Sequence, residues 1–264
     1  MKYFFTIIIF INFINYSYAS NLISHKAYYN LIFDKTKTSS VLEGGNGKST
    51  YLFNRGCTGW SLKENFMIVY NLTNNKNANN KNAKSYSIFK TFEDFSSKNF
   101  SFELFEKSDL SGEINYSGFV KKDNKKLKGT LIDNNSKKIS FNGEILFPNE
   151  HIVQLINYAK KENTFFNSNV FFGSSKNNLI KKVSAFIGKK KLSSSNINSK
   201  LLKKEVWPIK LAFYNYKQKK SSPETEISLE LDEVGVVHYY LANYGDYKMT
   251  GKLDKIEILE SKKC

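Results

Sequence analysis

Glu226-Ile227-Ser228-Leu229-Glu230-Leu231-Asp232 alternates three aliphatic side chains with four polar ones. That period of two is what a half-buried β-strand imposes, because successive side chains point to opposite faces. The stretch Asp232 to Gly235 then has turn chemistry, and Val237, Tyr239 and Leu241 resume the alternation. A hairpin is the expected product. On this reading Glu230 and Asp232 lie on the polar, solvated face.

The same period recurs along the chain. Phe100, Phe102 and Leu104 alternate with Ser101 and Glu103, and Ile114, Tyr116 and Gly118 alternate with Asn115 and Ser117. Further strands are expected at Tyr28–Phe33, Ser49–Asn54, Phe66–Leu72, Tyr86–Phe92, Leu127–Ile132, Lys138–Phe141, Phe166–Phe172, Val183–Ile187, Ile209–Tyr214 and Ile256–Ile258. Many short strands separated by turn signals predict a mainly β protein. The expected form is an antiparallel sandwich, barrel or coiled sheet with one or two short helices.

One segment has a different period. Ile152, Leu155, Ile156 and Ala159 fall at i, i+3, i+4 and i+7, one stripe of a helix. Pro148 precedes Asn149, a good N-cap residue, with Glu150 in the first turn and Lys160 and Lys161 in the last. The spacing predicts a helix over Asn149–Lys161, placed to plug or cover an open face of the sheet. Asn74–Lys84 reads as a flexible hairpin loop and Lys189–Lys204 as a long loop.

The N-terminus has one cation, Lys2, then an apolar run from Tyr3 to Ile14, then Ser17-Tyr18-Ala19 with small residues at the peptidase-recognition positions. The run is shorter than the roughly 20 apolar residues of a membrane span. Residues 1–19 are therefore expected to be a signal peptide cleaved after Ala19, and residues 20–264 a single β domain with no further membrane segment. No cysteine lies near the cut, which argues against a lipid anchor. In an oxidising compartment the two cysteines, Cys57 and Cys264, read as a disulfide. The alternatives are two free thiols or an intermolecular bridge through Cys264. A bond would clamp the tail near the beginning of the mature chain and keep a rolled sheet from uncoiling. Loop-closure entropy assigns such a bond about 5 kcal/mol.

The chain has 40 Lys and Arg against 24 Asp and Glu, a net charge of +16. Without the signal, which holds Lys2 and no acid, the net is +15. Arg55 is the sole arginine, which argues against base-specific nucleic-acid recognition, where the bidentate guanidinium dominates. Much of the lysine excess, together with abundant Asn and Ile, matches an AT-rich coding bias. Weak attraction to anionic lipid headgroups is the remaining partner reading.

Catalytic and cofactor patterns are not found. Gly44-Gly45-Asn46-Gly47-Lys48-Ser49 lacks the first glycine of a phosphate-binding loop, Leu42 standing there instead, and reads as a turn. His25, His151 and His238 are dispersed, with no metal spacing, and His151 reads as an ordinary residue near the helix start. No Gly-x-Ser-x-Gly elbow occurs. No catalytic, metal or cofactor residue is assigned, and no residue is assigned to a ligand. Tyr239, Tyr240, Tyr244 and Tyr247 cluster near the end of the chain. Aromatic side chains belong in a β core or along a groove for an acyl chain or extended peptide.

Ser24-His25-Lys26-Ala27-Tyr28-Tyr29, Gly56-Cys57-Thr58-Gly59-Trp60, Leu146-Phe147-Pro148, Val206-Trp207-Pro208, Tyr244-Gly245-Asp246-Tyr247 and the terminal Cys264 come in an order that resembles the cell-envelope integrity protein EipB family. The resemblance spans essentially all of residues 20–264. It implies a periplasmic protein with a wrapped antiparallel sheet, an open barrel or β-spiral, and a disulfide mapping onto Cys57 and Cys264. It also implies a non-enzymatic role in envelope integrity. The expected partner is an unnamed periplasmic protein, peptide or lipid. A lipid or lipoprotein carrier and, further off, an envelope hydrolase are the rival readings.

Overall fold

The computed structural model describes residues 22–36, 42–72, 82–197, 199, 202–217, 222–260 and 264. The signal-peptide reading of residues 1–19, and residues 74–81 of the expected flexible loop, lie outside the described residues.

The strands are β1 (His25–Lys35), β2 (Leu42–Arg55), β3 (Gly59–Leu72), β4 (Asn82–Asp94), β5 (Asn99–Ser108), β6 (Gly112–Asp123), β7 (Lys126–Ile132) and β8 (Ser136–Asn142). Then come α1 (Pro148–Lys160), β9 (Phe165–Phe171), β10 (Ile180–Ile187), β11 (Lys191–Leu192), β12 (Glu205–Asn215), β13 (Thr225–Leu231), β14 (Val237–Asn243) and β15 (Tyr247–Ile258). They form one sheet in the order β8-β7-β6-β5-β4-β3-β2-β1-β15-β14-β13-β12-β10-β9, with β11 on β12. Neighbouring strands pair antiparallel throughout, and β1 pairs β15, so the two ends of the chain meet in mid-sheet.

The sheet wraps until its edges approach. Leu146, just beyond β8, makes a parallel bridge to Val170 of β9. Its N–H donates to the Asn169 carbonyl at 2.8 Å, and its carbonyl accepts from the Phe171 N–H at 2.9 Å. The Tyr216 hydroxyl donates to the Asn142 carbonyl at 3.0 Å, and Lys176 pairs with Asp133 across the same seam. Edge strands carry unpaired N–H and C=O groups, and this contact satisfies part of them without closing a barrel.

Several stretches depart from the sequence reading. Lys191–Leu192, expected in a long loop, forms β11 beside β12. Gly44–Ser49 is not a turn but part of β2. The glycines are needed because a Cβ on Gly45 would lie 2.5 Å from the Val69 carbonyl oxygen, and one on Gly47 2.4 Å from that of Met67. Asn82–Lys84, expected in a loop, opens β4. The helix starts at Pro148 with Phe147 as its N-cap, and Asn149 does not cap it.

Helix α1 plugs one end of the rolled sheet. Leu155, Ile156 and Ala159 pack into a cluster with Phe53, Trp60, Trp207, Ile209 and Leu231. Each fully buried Leu or Phe contributes about 1.5–3 kcal/mol. Phe100, Phe102, Tyr116, Phe147 and Phe171 form a second cluster beside the seam. No described helix is long and apolar enough to cross a membrane.

Candidate functional site

The strand register assigns every side chain to a face. Along β3 the inward row is Trp60, Leu62, Glu64, Phe66, Ile68 and Tyr70, set opposite Phe53, Tyr51, Ser49, Gly47 and Gly45 of β2 and Thr91, Phe89, Ser87 and Ser85 of β4. At the helix end this row is buried: Trp60, Phe53, Thr91 and Glu93 all lie in the interior. Farther along the strands the inward residues Tyr51, Glu64, Phe66, Ile68, Tyr70, Phe89, Leu104, Ile227 and Leu229 are half-buried. Side chains that point inward yet keep exposed surface border a space that water enters. The inward face away from the helix is therefore only partly filled, and this partly open interior is the lumen of the roll, with α1 packed at its other end.

Glu64 sits in the wall of this lumen. Its side chain is half-buried, and the desolvation of its carboxyl by neighbouring side chains pushes the group up to about 7. Burial also raises the phenols of Tyr51 and Tyr240, with the charge of Glu64 adding to it. Tyr70 is pushed up to about 12, by burial first and then by Tyr247 and Glu106. Tyr240 lies against Gly251, where a Cβ would come within 2.2 Å of its ring. Its ring meets that of Tyr29 edge-on at 5.7 Å. The glycine is thus the space that lets Tyr240 lie along the wall.

Glu93 holds the plug. Its carboxylate, 0% exposed, accepts the Asn149 N–H at 2.9 Å and the Glu150 N–H at 3.0 Å, the first turn of α1. Glu150 in turn accepts the Phe147 N–H at 3.1 Å and pairs with Lys122. An anion at the positive end of a helix dipole is the expected partner. Burial outweighs those bonds and raises the Glu93 carboxyl to about 7.

Cys57 and Cys264, 207 residues apart in sequence, are joined with Cα atoms 5.6 Å apart. The bond does not clamp the seam. It links the β2–β3 turn to the tail beyond β15, and between those elements lies only β1. The expectation that it keeps the roll from uncoiling is corrected: the free edges β8 and β9 meet elsewhere.

A Ser–His–Asp chain lies on the outside. The His238 ring faces Ser193 Oγ through Nδ1 at 2.6 Å and Asp232 through Nε2 at 3.1 Å. Asp232 also accepts the N–H groups of Val234 and Val236, at 3.0 and 2.8 Å. Glu230 accepts Ser194 N–H and Oγ–H and pairs with Lys191. Glu230 and Asp232 are therefore buried, not solvated, because the segment after β11 lies over them. Three backbone N–H groups around the hydroxyl are engaged: Ser193 with the Lys204 carbonyl, Ser194 with Glu230, Ser195 with Ser193 Oγ. The N–H groups of Ser193, Ser194 and Ser195 are thus already committed within the segment and not aimed at a substrate oxygen. The geometry is that of a latch.

His25 and His151 are buried as well. His25 Nδ1 meets the Ile23 carbonyl at 2.8 Å, and burial lowers its pKa. His151, read from sequence as ordinary, stacks on Phe166, and burial lowers it to about 4. Among the described residues, no three His, Cys, Asp or Glu are grouped to hold a metal.

A wrapped antiparallel sheet plugged by one helix defines a barrel-like β protein. The chain belongs to the EipB-like family, whose model matches residues 17–260. It is similar to the cell envelope integrity protein EipB of Brucella abortus (strain 2308), 26% identical over 252 residues that cover 93% of this chain and 87% of that protein. Its fold is similar to the crystal structure of a β-barrel-like protein of a domain of unknown function from Brucella abortus. The TM-score is 0.81 at 24% identity, covering 92% of this chain and 100% of that one.

Proposed function

We propose that this chain is an exported, non-enzymatic protein of the periplasm that supports envelope integrity by holding an extended hydrophobic ligand in its lumen. The observation that carries the reading is the inward row that stays half-buried from Tyr51 and Glu64 to Ile227 and Leu229. A structural barrel would fill that space with side chains, as interiors are close-packed. The envelope role is supported by the family and by the printed name of the Brucella relative. The non-enzymatic reading is supported by the engaged N–H groups around Ser193.

A deletion strain is expected to lose resistance to detergent and to cell-wall antibiotics. A chain whose lumen is filled by Ile227→Trp should fail to restore it, although folded and exported. Normal resistance in the deletion strain would overturn the envelope role. Full rescue by the filled variant would overturn the lumen as the working site. A carrier of lipid or lipoprotein would use the same lumen, and is distinguished by hand-over of the bound molecule to an acceptor membrane.

A further inference from the structure

Away from the seam, the unpaired charges on the inward rows are acidic. Glu64 on β3 and Glu106 on β5 both lie on inward rows, and both are half-buried. Neither has a lysine or arginine within ion-pair distance among the described residues; Glu106 accepts a hydrogen bond from Ser111 Oγ at 3.2 Å. The inward rows also carry Lys35, Lys122, Lys137 and Lys181, but all four sit at or near strand ends. Three are neutralised there, by Glu43, Glu150 and Glu224. Lys137 lies at the seam, in the cavity it shares with Lys176. A chain of net charge +16 thus has, on its inward rows away from the seam, unpaired charges that are acidic.

We propose that the lumen selects an amphiphile with an extended hydrocarbon chain and a protonated amine head, seated beside Glu64 and against the tyrosine wall. The proposal rests on the lumen being a ligand site. Leu62, Phe66, Ile68, Phe89 and Leu104 offer an apolar track for the chain. An unpaired carboxyl in this enclosure is costly to ionise. An ammonium group beside it supplies the missing counter-charge and a charge-assisted hydrogen bond. The faces of Tyr51 and Tyr240 add cation–π attraction. A carboxylate head seated there would meet like charge instead, with no cation in ion-pair reach of Glu64 to receive it. The outer field works in the opposite sense, since a basic protein attracts anions. A preference for the amine must therefore arise inside.

The test uses the whole mature chain, freed of co-purified lipid, and three probes of equal chain length below their micelle concentrations: dodecylamine, dodecanol and laurate. Calorimetry should show dodecylamine binding at least about tenfold tighter than laurate, the scale of one charge-assisted hydrogen bond. Glu64→Gln should bring the affinities for dodecylamine and laurate to within about twofold of each other, with dodecanol binding to the same variant reporting that the lumen is intact. Laurate binding as tightly as the amine would overturn the ligand class and leave the lumen reading standing. An amine preference that survives Glu64→Gln would overturn the assignment to Glu64. Failure of all three probes to bind would overturn both the class and the lumen reading. The wild-type comparison decides the matter even if the variant does not fold.

Discussion

Glu93 on β4 reaches Asn149 at the start of α1: its carboxylate accepts the Asn149 N–H at 2.9 Å although 56 residues separate them. The plug is thus fastened to the wall by a carboxylate from a distant strand, and not by a side chain at its own N-cap. Glu93→Ala should cost about 1–3 kcal/mol, as caps and buried acceptors do. Denaturant unfolding measures this, and an unchanged midpoint would remove Glu93 from the role.

The same residue sets a pH dependence. The carboxyls of Glu93 and Glu64 are both raised from 4.5 to about 7 in the folded chain. A raised carboxyl stabilises the fold fully below its unfolded value of 4.5, and that contribution is lost as pH rises through about 7. Stability should therefore fall between pH 5 and pH 8. A Glu64→Gln/Glu93→Gln double variant should flatten the fall. A wild-type profile that rises over this window would contradict the assignment.

The Cys57–Cys264 bond should raise stability by about 5 kcal/mol at most, the loop-entropy value for a closure of this length. Cys264→Ser should lower the unfolding midpoint under oxidising conditions. Because the bond spans strands already paired through β1, the sheet itself should persist, and far-ultraviolet circular dichroism of the variant should match wild type. Loss of strand signal at low temperature would show that the bond organises the sheet.

Gly251→Ala should push Tyr240 off the wall, since the new Cβ would meet its ring atoms at 2.2 Å. Overpacking of this kind costs about 1–3 kcal/mol. Adding Tyr240→Leu should recover most of the loss. A double variant no more stable than the single one would place the strain elsewhere.

Ser193 should behave as a latch. Ser193→Ala should speed hydrogen exchange in residues 193–197 and leave the barrel strands protected. A fluorophosphonate should leave the wild-type hydroxyl unlabelled. A covalent adduct on Ser193 would reopen the hydrolase reading.

Much of the sheet was legible because period-two alternation is local: Ile227, Leu229 and Leu231 announce β13 without help from the rest of the chain. Helix α1 was legible within one residue from its apolar stripe, yet its capping group was not, because Glu93 comes from another strand. Gly44–Ser49 misled because glycines read as turn residues, while here they clear space for neighbouring backbone. Glu230 and Asp232 keep their place in the alternation, and only the segment laid over them buries their side chains. Glu64 was the least legible. A carboxylate between Leu62 and Phe66 gains meaning once the sheet rolls and its inward row borders a lumen. The Ser193–His238–Asp232 chain likewise needs residues 193, 232 and 238 brought together by the fold.

The most direct measurement is titration of the mature chain with a neutral apolar fluorophore, N-phenyl-1-naphthylamine, beside the lumen-filled Ile227→Trp variant. An accessible lumen should give saturable binding at one site per chain, lost in the variant while its fold is retained. No saturable binding, or equal binding by both proteins, would contradict it.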